Sequence, residues 1–264
     1  MWRRSKGIRE ISIFKTQTIF LPMPAHLLHT ILFLDIETVS QYATFDEVPE
    51  EWKALWRNKA EALLRGDKQP VTYEDIYGRA AIYAEFGKII CISCGILSGA
   101  GTGKKLTLKS FYGSDEKQLL SEFSEMLRKW TLDREPKLLC AHNGKEFDFP
   151  YLCRRMVIHG MPIPALLNLS GKKPWEIPHI DTMELWKFGE YKSFVSLNLL
   201  AHALGVPTPK DDIDGSQVGE VYWSQKDLPR IVTYCQKDVV TVAQVYLRMT
   251  GEPLIHPENI EIKV

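Results

Sequence analysis

Apolar positions along the chain form short runs and helical periods separated by polar turns, and their order predicts an alternating α/β arrangement. Residues 31–36 (ILFLDI) are apolar on both alternations and end in acids, which predicts a strand buried on both faces. Residues 45–65, rich in Glu, Trp, Ala and Leu with Pro49 near the first turn, predict a helix; 66–84 reads as a polar linker or a second short helix. Residues 88–97 and 106–112 predict two strands joined by a Gly-rich hairpin connection. Leu119, Leu120, Phe123, Met126 and Leu127 recur at helical spacing behind a cap at Ser114 or Asp115, and 137–141 predicts another short strand. A helix is expected from Asp148 to His159, with Pro150 tolerated in its first turn and Gly160 as its stop. After an irregular stretch at 162–178, helices are expected around 182–188, 196–204 and 217–223. The longest spans 227–249, with Pro229 in its first turn and Gly251 ending it. This order predicts one three-layer α/β domain with a mixed central sheet of about five strands flanked by helices. It would run over 26–251 with a helical insertion at about 45–84. Residues 1–25 read as a tail of uncertain status, Met23 being an alternative start, and 252–264 as a C-terminal tail.

Composition narrows the classes. With 264 residues, 45% apolar and 25% charged, the chain is neither disordered nor fibrous. Lys plus Arg equals Asp plus Glu at 33 each, so bulk charge cannot hold it to nucleic acid or an anionic membrane. A local basic groove, or carboxylates holding cations against a phosphate, remains open. No apolar run reaches the ~18 residues of a spanning helix, and Arg9, Glu10 and Lys15 break up the stretch after the basic start MWRRSK. No membrane partner is expected. The five cysteines are an odd number in a large chain, which argues for reduced thiols and a cytoplasmic location. Cys91 and Cys94, three apart on a predicted strand, would face opposite sides and so not share a metal.

Two apparent motifs fail. The glycine-rich stretch 98–105 has Ser98 and Lys105 where a phosphate loop needs Gly and Ser/Thr. Residues 210–215 place Lys210 where a calcium loop needs an acid, and read as a polar turn.

Three other places carry more chemistry. Asp35 and Glu37 are separated by one residue, so on a strand they share a face about 7 Å apart, though a helix N-cap explains such a pair nearly as well. A loop with Asn143, then Phe147 and Asp148, lies where a strand ends and a helix starts; an ordinary helix cap explains Asp148 equally well. Tyr234 and Asp238 are four apart in the final helix and share its face, with Val239, Val240 and Val242 around the acid; taken alone, a surface Tyr–Asp pair is the plainer reading. An acid beside a packed face needs a cation or hydrogen bonds. Asp181, a fifth acid, reads chiefly as the cap of the helix at Thr182, and His142 as a strand-end residue rather than a ligand. Trp52 and Trp56 lie four apart on the inserted helix, where a substrate-facing role is one option.

Taken together, Asp35-Ile-Glu37-Thr38, Asn143 to Asp148 and Tyr234 to Asp238 resemble the three motifs of the DEDD 3′–5′ exonucleases of ribonuclease H-like fold, in the subgroup with Tyr in the third motif. HNGKEFDFPYLCRR, HIDTMELWKFG, LGVPTPKDDIDG and YCQKDVV further resemble the stand-alone bacterial group related to the proofreading domain of family-B DNA polymerases. The likeness covers about 30–251.

It implies a metal-dependent 3′–5′ exonuclease that releases nucleoside 5′-monophosphates, with DNA favoured over RNA and a single-stranded 3′ end as partner. It implies two divalent cations, Mg²⁺ or Mn²⁺, about 4 Å apart. Asp35 would bridge them, Glu37 and Asp238 would complete the site that activates water, and Asp148 would hold the second. Tyr234 would orient the attacking water, since a phenol of pKa about 10 is a poor base. Thr38, Asn143 and Phe147 would hold the terminal nucleotide, and Lys145 and Lys210 are candidates for phosphate contact. With the third motif close to the end of the chain, proofreading or repair would need a separate polymerase or repair partner. The alternatives are an RNA exonuclease and a non-catalytic nucleic-acid-binding module on the same fold. Oligomeric state is not legible.

Overall fold

The computed structural model describes residues 25–65, 71–133, 135–208 and 213–263. The expected tail before Ala25 and the Lys210 turn lie outside the described residues. Three strands form an antiparallel meander: β1 (Ile31–Ser40), β2 (Gly87–Ser98) and β3 (Lys105–Tyr112). β4 (Leu138–Ala141) joins β1 in parallel, β5 (Ile180–Asp181) joins β4, and β6 (Ile260–Lys263) joins β3. The sheet order is β5-β4-β1-β2-β3-β6. The expected sheet of about five strands is therefore mixed but has six. Besides the two-residue β5, β6 has no counterpart among the expected strands; it comes from 252–264, the segment read as a tail. It is an exposed edge strand whose pairing is helped by a Lys105–Glu261 contact of 3.0 Å, and neither feature leaves a hydrophobic pattern.

β1 also runs four residues past the expected end at Ile36. Its two acids interrupt the apolar run, yet hydrogen bonding to β2 continues through them to Ser40.

Alternation along β1 builds a core on each face. Leu32, Leu34 and Ile36 pack with α2 (Glu116–Trp130) and α3 (Asp148–Ile158). Ile31 and Phe33 pack with α7 (Leu228–Met249) through Val239, Val242, Ala243, Tyr246 and Leu247. Helices thus cover both sides, and each fully buried aliphatic or aromatic side chain contributes about 1.5–3 kcal/mol. Asp115, rather than Ser114, caps α2 by accepting from the Gln118 amide. The two helices on the first face are locked by a buried pair: Arg155 Nε donates to Glu116 Oε1 at 2.8 Å, and the same oxygen accepts from the Ile89 amide at 2.7 Å.

Between β1 and β2, α1 (Glu50–Leu63) and a 3-10 helix at Tyr77–Ile82 close a small core of Phe45, Val48, Trp56, Ala60, Ile76, Tyr77 and Ala80. Trp56 is its fully buried centre, its indole donating to the Tyr73 carbonyl at 3.0 Å, so it does not face a substrate. Two short helices, α4 (Thr182–Lys187) and α5 (Leu197–Ala203), follow β5. The helix expected at 217–223 is a single α-turn, α6 (Val218–Glu220), that widens into a π-turn at Val221–Gln225. Among the described residues no helix is long and apolar enough to cross a membrane.

Candidate active site

Asp35 and Glu37 continue the alternation of Ile31 and Phe33, so both project from the sheet face that α7 covers. A register irregularity between Glu37 and Thr38 ends that pattern just beyond them. The parallel pairing of β1 with β4 covers Ile31–Phe33, and β4 then turns away. The start of α3 closes the edge: Asp148 accepts hydrogen bonds from its own amide and from that of Ile36. It is the first residue of α3, while Phe147 holds the cap position without a capping side chain, so the cap explanation of Asp148 does not apply.

α7 supplies the third side. Val239 seats over Gly95, where an added Cβ would come within 3.2 Å of the valine Cγ1 and 2.8 Å of Leu108. The Phe33 and Tyr246 rings meet at 5.7 Å. These contacts set the rotation of the helix, and the turn before them then brings Tyr234, Cys235 and Asp238 over the β1 acids. Tyr234 hydrogen-bonds Asp238.

The electrostatics show how close the groups are. Burial, then Glu37, Asp238 and Asp148, hold the Asp35 carboxyl well above the usual carboxylate range. Burial, then Asp238 and more weakly Cys91 and Asp148, do the same for Glu37. Burial pushes Asp148 up to about 7, with Asp181 and Asp238 adding and the two amide donors opposing. Burial and the carboxylates push the Tyr234 phenol far above its ordinary value. Four carboxylates in one desolvated place cannot all ionise unaided. Their hard oxygen donors suit a divalent cation such as Mg²⁺ or Mn²⁺. Ligand atoms of Asp35, Glu37 and Cys235 lie within 4.8 Å of one another.

The structure therefore brings together Asp35, Glu37, Asp148, Tyr234 and Asp238. The loop before α3 is held beside them by Asp181, which accepts from the Asn143 amide at 3.0 Å and the Lys145 amide at 3.1 Å while capping α4. Gly144 permits this turn, since a Cβ there would sit 2.4 Å from that of Ala141. Asn143 is left-handed, with φ 62°, and its Oδ1 is buried without a partner. His142 is occupied on both ring nitrogens, by Thr182 Oγ1 and the Val195 carbonyl, each at 2.9 Å. Phe147 packs against Tyr151 at 5.3 Å, and the Thr38 hydroxyl engages the Tyr151 oxygen. Lys145 is committed to Glu184 at 2.7 Å.

A family described as a predicted 3′–5′ exonuclease related to the exonuclease domain of PolB matches residues 82–252. The chain belongs to this family. The matched span of this PolB-type exonuclease domain contains Asp148, Tyr234 and Asp238 but not β1 with Asp35 and Glu37. A DNA polymerase of Pyrococcus glycovorans is 23% identical over 69% of the chain, which spans 26% of that protein. The family B DNA polymerase of the hyperthermophilic archaeon Pyrobaculum calidifontis aligns in structure with a TM-score of 0.50 and 15% identity, over 81% of this chain and 23% of that one. That likeness shows the fold, which is ribonuclease H-like. The chain thus spans about a quarter of the relatives it matches.

Cys235 is the residue of this PolB-type domain that sequence reasoning missed. Its thiol lies 3.4 Å from both Asp35 Oδ2 and the Asp35 carbonyl oxygen as a donor, and Cys91 packs beside it. Burial pushes the Cys235 thiol up, so it acts as a hydrogen-bond donor. Its position next to Tyr234 is the one signal that could have drawn attention to it. Cys94 lies in the core of the opposite sheet face, so the pair three apart does diverge.

Proposed function

We propose that this chain is a metal-dependent 3′–5′ exonuclease of the DEDD type, with Tyr in its third motif. It hydrolyses the terminal phosphodiester bond of nucleic acid from a single-stranded 3′ end and releases nucleoside 5′-monophosphates. The observation that carries this is the convergence of four carboxylates from β1, α3 and α7, three of them with raised proton affinity, and a phenol hydrogen-bonded to the fourth. DNA is the favoured substrate because the relatives named above are DNA polymerases.

Asp35, Glu37, Asp148 and Asp238 would hold two divalent cations. When bound, such ions neutralise phosphate charge and lower the pKa of water. The remaining work belongs to the chain. Tyr234 keeps its proton at neutral pH, so its hydroxyl positions the attacking water rather than removing a proton. Cys235 holds Asp35 in one orientation through its thiol hydrogen bond. The unpartnered Asn143 amide oxygen is available to a donor on the terminal nucleotide, and a buried acceptor left unmatched costs about 1–3 kcal/mol. Phe147, half-buried, offers a ring edge to the last base, and Thr38 closes the sugar side. Lys145 would reach a phosphate only by leaving Glu184. Lys210 is kept as a second phosphate contact.

The test is degradation of 5′-labelled single-stranded DNA and the matching RNA in Mg²⁺, Mn²⁺ and EDTA. The expected result is a ladder shortening from the 3′ end with either ion, none in EDTA, and none with Asp35→Ala or Asp238→Ala. Faster loss of RNA would assign the substrate to RNA. Binding without products in either ion, or full activity in either variant, would overturn the assigned centre.

A further inference from the structure

We propose that residues 187–194 form a stacking platform for the single strand leading into the candidate active site, a role that rests on the exonuclease reading for its substrate. Phe188, Tyr191 and Phe194 are 86%, 90% and 70% exposed. Exposed apolar side chains scattered singly are ordinary, but three aromatic rings within one short turn form a patch that asks for a partner.

The backbone presents these rings. Phe188 ends α4 in the left-handed region at φ 44°, followed by Gly189 at φ 91°, so the chain reverses and lifts the Phe188 ring off the core. Trp186 supports Phe188 from below at 6.4 Å. The Lys187 ammonium lies 4.7 Å from the centre of the Phe194 ring, and Lys192 stands between Tyr191 and Phe194 in the chain.

The turn is anchored to the site. The carbonyl of Val195, next to Phe194, accepts from His142, which itself precedes Asn143. At its other end α4 is capped by Asp181, the residue that orders the Asn143 loop.

Exposed rings with Lys187 and Lys192, against the one acid Glu190, suit an unpaired strand, whose bases offer π-faces and whose backbone carries one charge per nucleotide. Base pairs would hide those faces, so a duplex does not fit. Aromatic rings suit a protein interface as well, but the lysines set among them are depleted from interface cores, which favours the strand over a protein occupant.

The test uses the full chain and a fluorescein-labelled thymidine 12-mer, with anisotropy read in chelator. Phe188→Ala, Tyr191→Ala and Phe194→Ala are each expected to weaken binding roughly 5- to 150-fold. Phe188→Trp should retain affinity, and all four variants should keep the melting temperature because these rings are outside the core. Lys187→Gln with Lys192→Gln should lower the salt slope of log K by about 0.7 per lysine. In Mn²⁺, kcat/KM on the 12-mer should fall with the alanine variants. Hydrolysis of the p-nitrophenyl ester of thymidine 5′-monophosphate, too small to reach the turn, should not. Affinity and 12-mer turnover indifferent to all three rings would overturn the platform, leave the exonuclease reading standing and give the face to a protein partner. Ring-dependent binding with no hydrolysis in any metal would do the reverse.

Discussion

Replacing Asp148 with Asn should change how the stability of the chain depends on pH. Asp148 titrates near 7 in the folded chain against an ordinary value of 3.8, chiefly because it is buried. The folded state therefore binds this proton more tightly than the unfolded state does. The resulting stability is fully present below about pH 4 and is lost as pH rises through about 7. At about 1.4 kcal/mol per pH step, the whole gap is worth roughly 4 kcal/mol. Between pH 5 and pH 8 roughly 3 kcal/mol of it disappears. For a chain of this length each kcal/mol moves Tm by about 2–4 °C. In EDTA, the wild-type Tm should thus drop by about 5–10 °C more than that of Asp148→Asn between pH 5 and pH 8, read by circular dichroism melts. Asp35 and Glu37 are raised as well, so both proteins keep a residual decline of the same sign. Millimolar Mn²⁺ should offset much of this decline in the wild type. Ligand carboxylates must be deprotonated to bind, and an ion at about 100 times its Kd adds about 2.7 kcal/mol. Parallel pH profiles for wild type and variant in EDTA would refute the account of Asp148 as a desolvated acid. Melts in Mn²⁺ and chelator that coincide at pH 8 would refute the cation site.

Tyr234→Phe should lower kcat on single-stranded DNA at least about tenfold with little change in KM, since the hydroxyl acts on the attacking water rather than on ground-state binding; an equal loss confined to KM would remove that role. Arg155→Met should destabilise the chain by about 3 kcal/mol in denaturant titration, because Glu116, its buried partner, would keep only His159 and the Ile89 amide in place of the guanidinium. A loss under about 1 kcal/mol would show that water reaches the pair. Gly144→Ala should lower both Tm and nuclease activity, because the new methyl would collide with Ala141 and displace the Asn143 loop; unchanged activity at an unchanged Tm would show that the loop yields without consequence.

Local pattern was enough for much of this protein. Alternation around Asp35 and Glu37 put both acids on one strand face, and spacing of four put Tyr234 and Asp238 on one helix face; both follow from backbone periods that need no partner. The same periods placed α2, α3 and α7 and the three strands of the meander. Tertiary structure decided the rest. The two-residue β5 and the exposed β6 are strands only because β4 and β3 offer open edges, and two or four residues hold no period of their own. Lys145 is turned from a free cation into half of an ion pair by Glu184, 39 positions away. Trp56 becomes a core residue because 76–80 folds back over it. Cys235 comes to rest against Asp35 across 200 positions of sequence. A local window records which way a side chain faces, whereas its neighbours come from packing between elements far apart in the chain. The carboxylates acquire their raised proton affinities at that second level, when three separate segments exclude water from the same small volume.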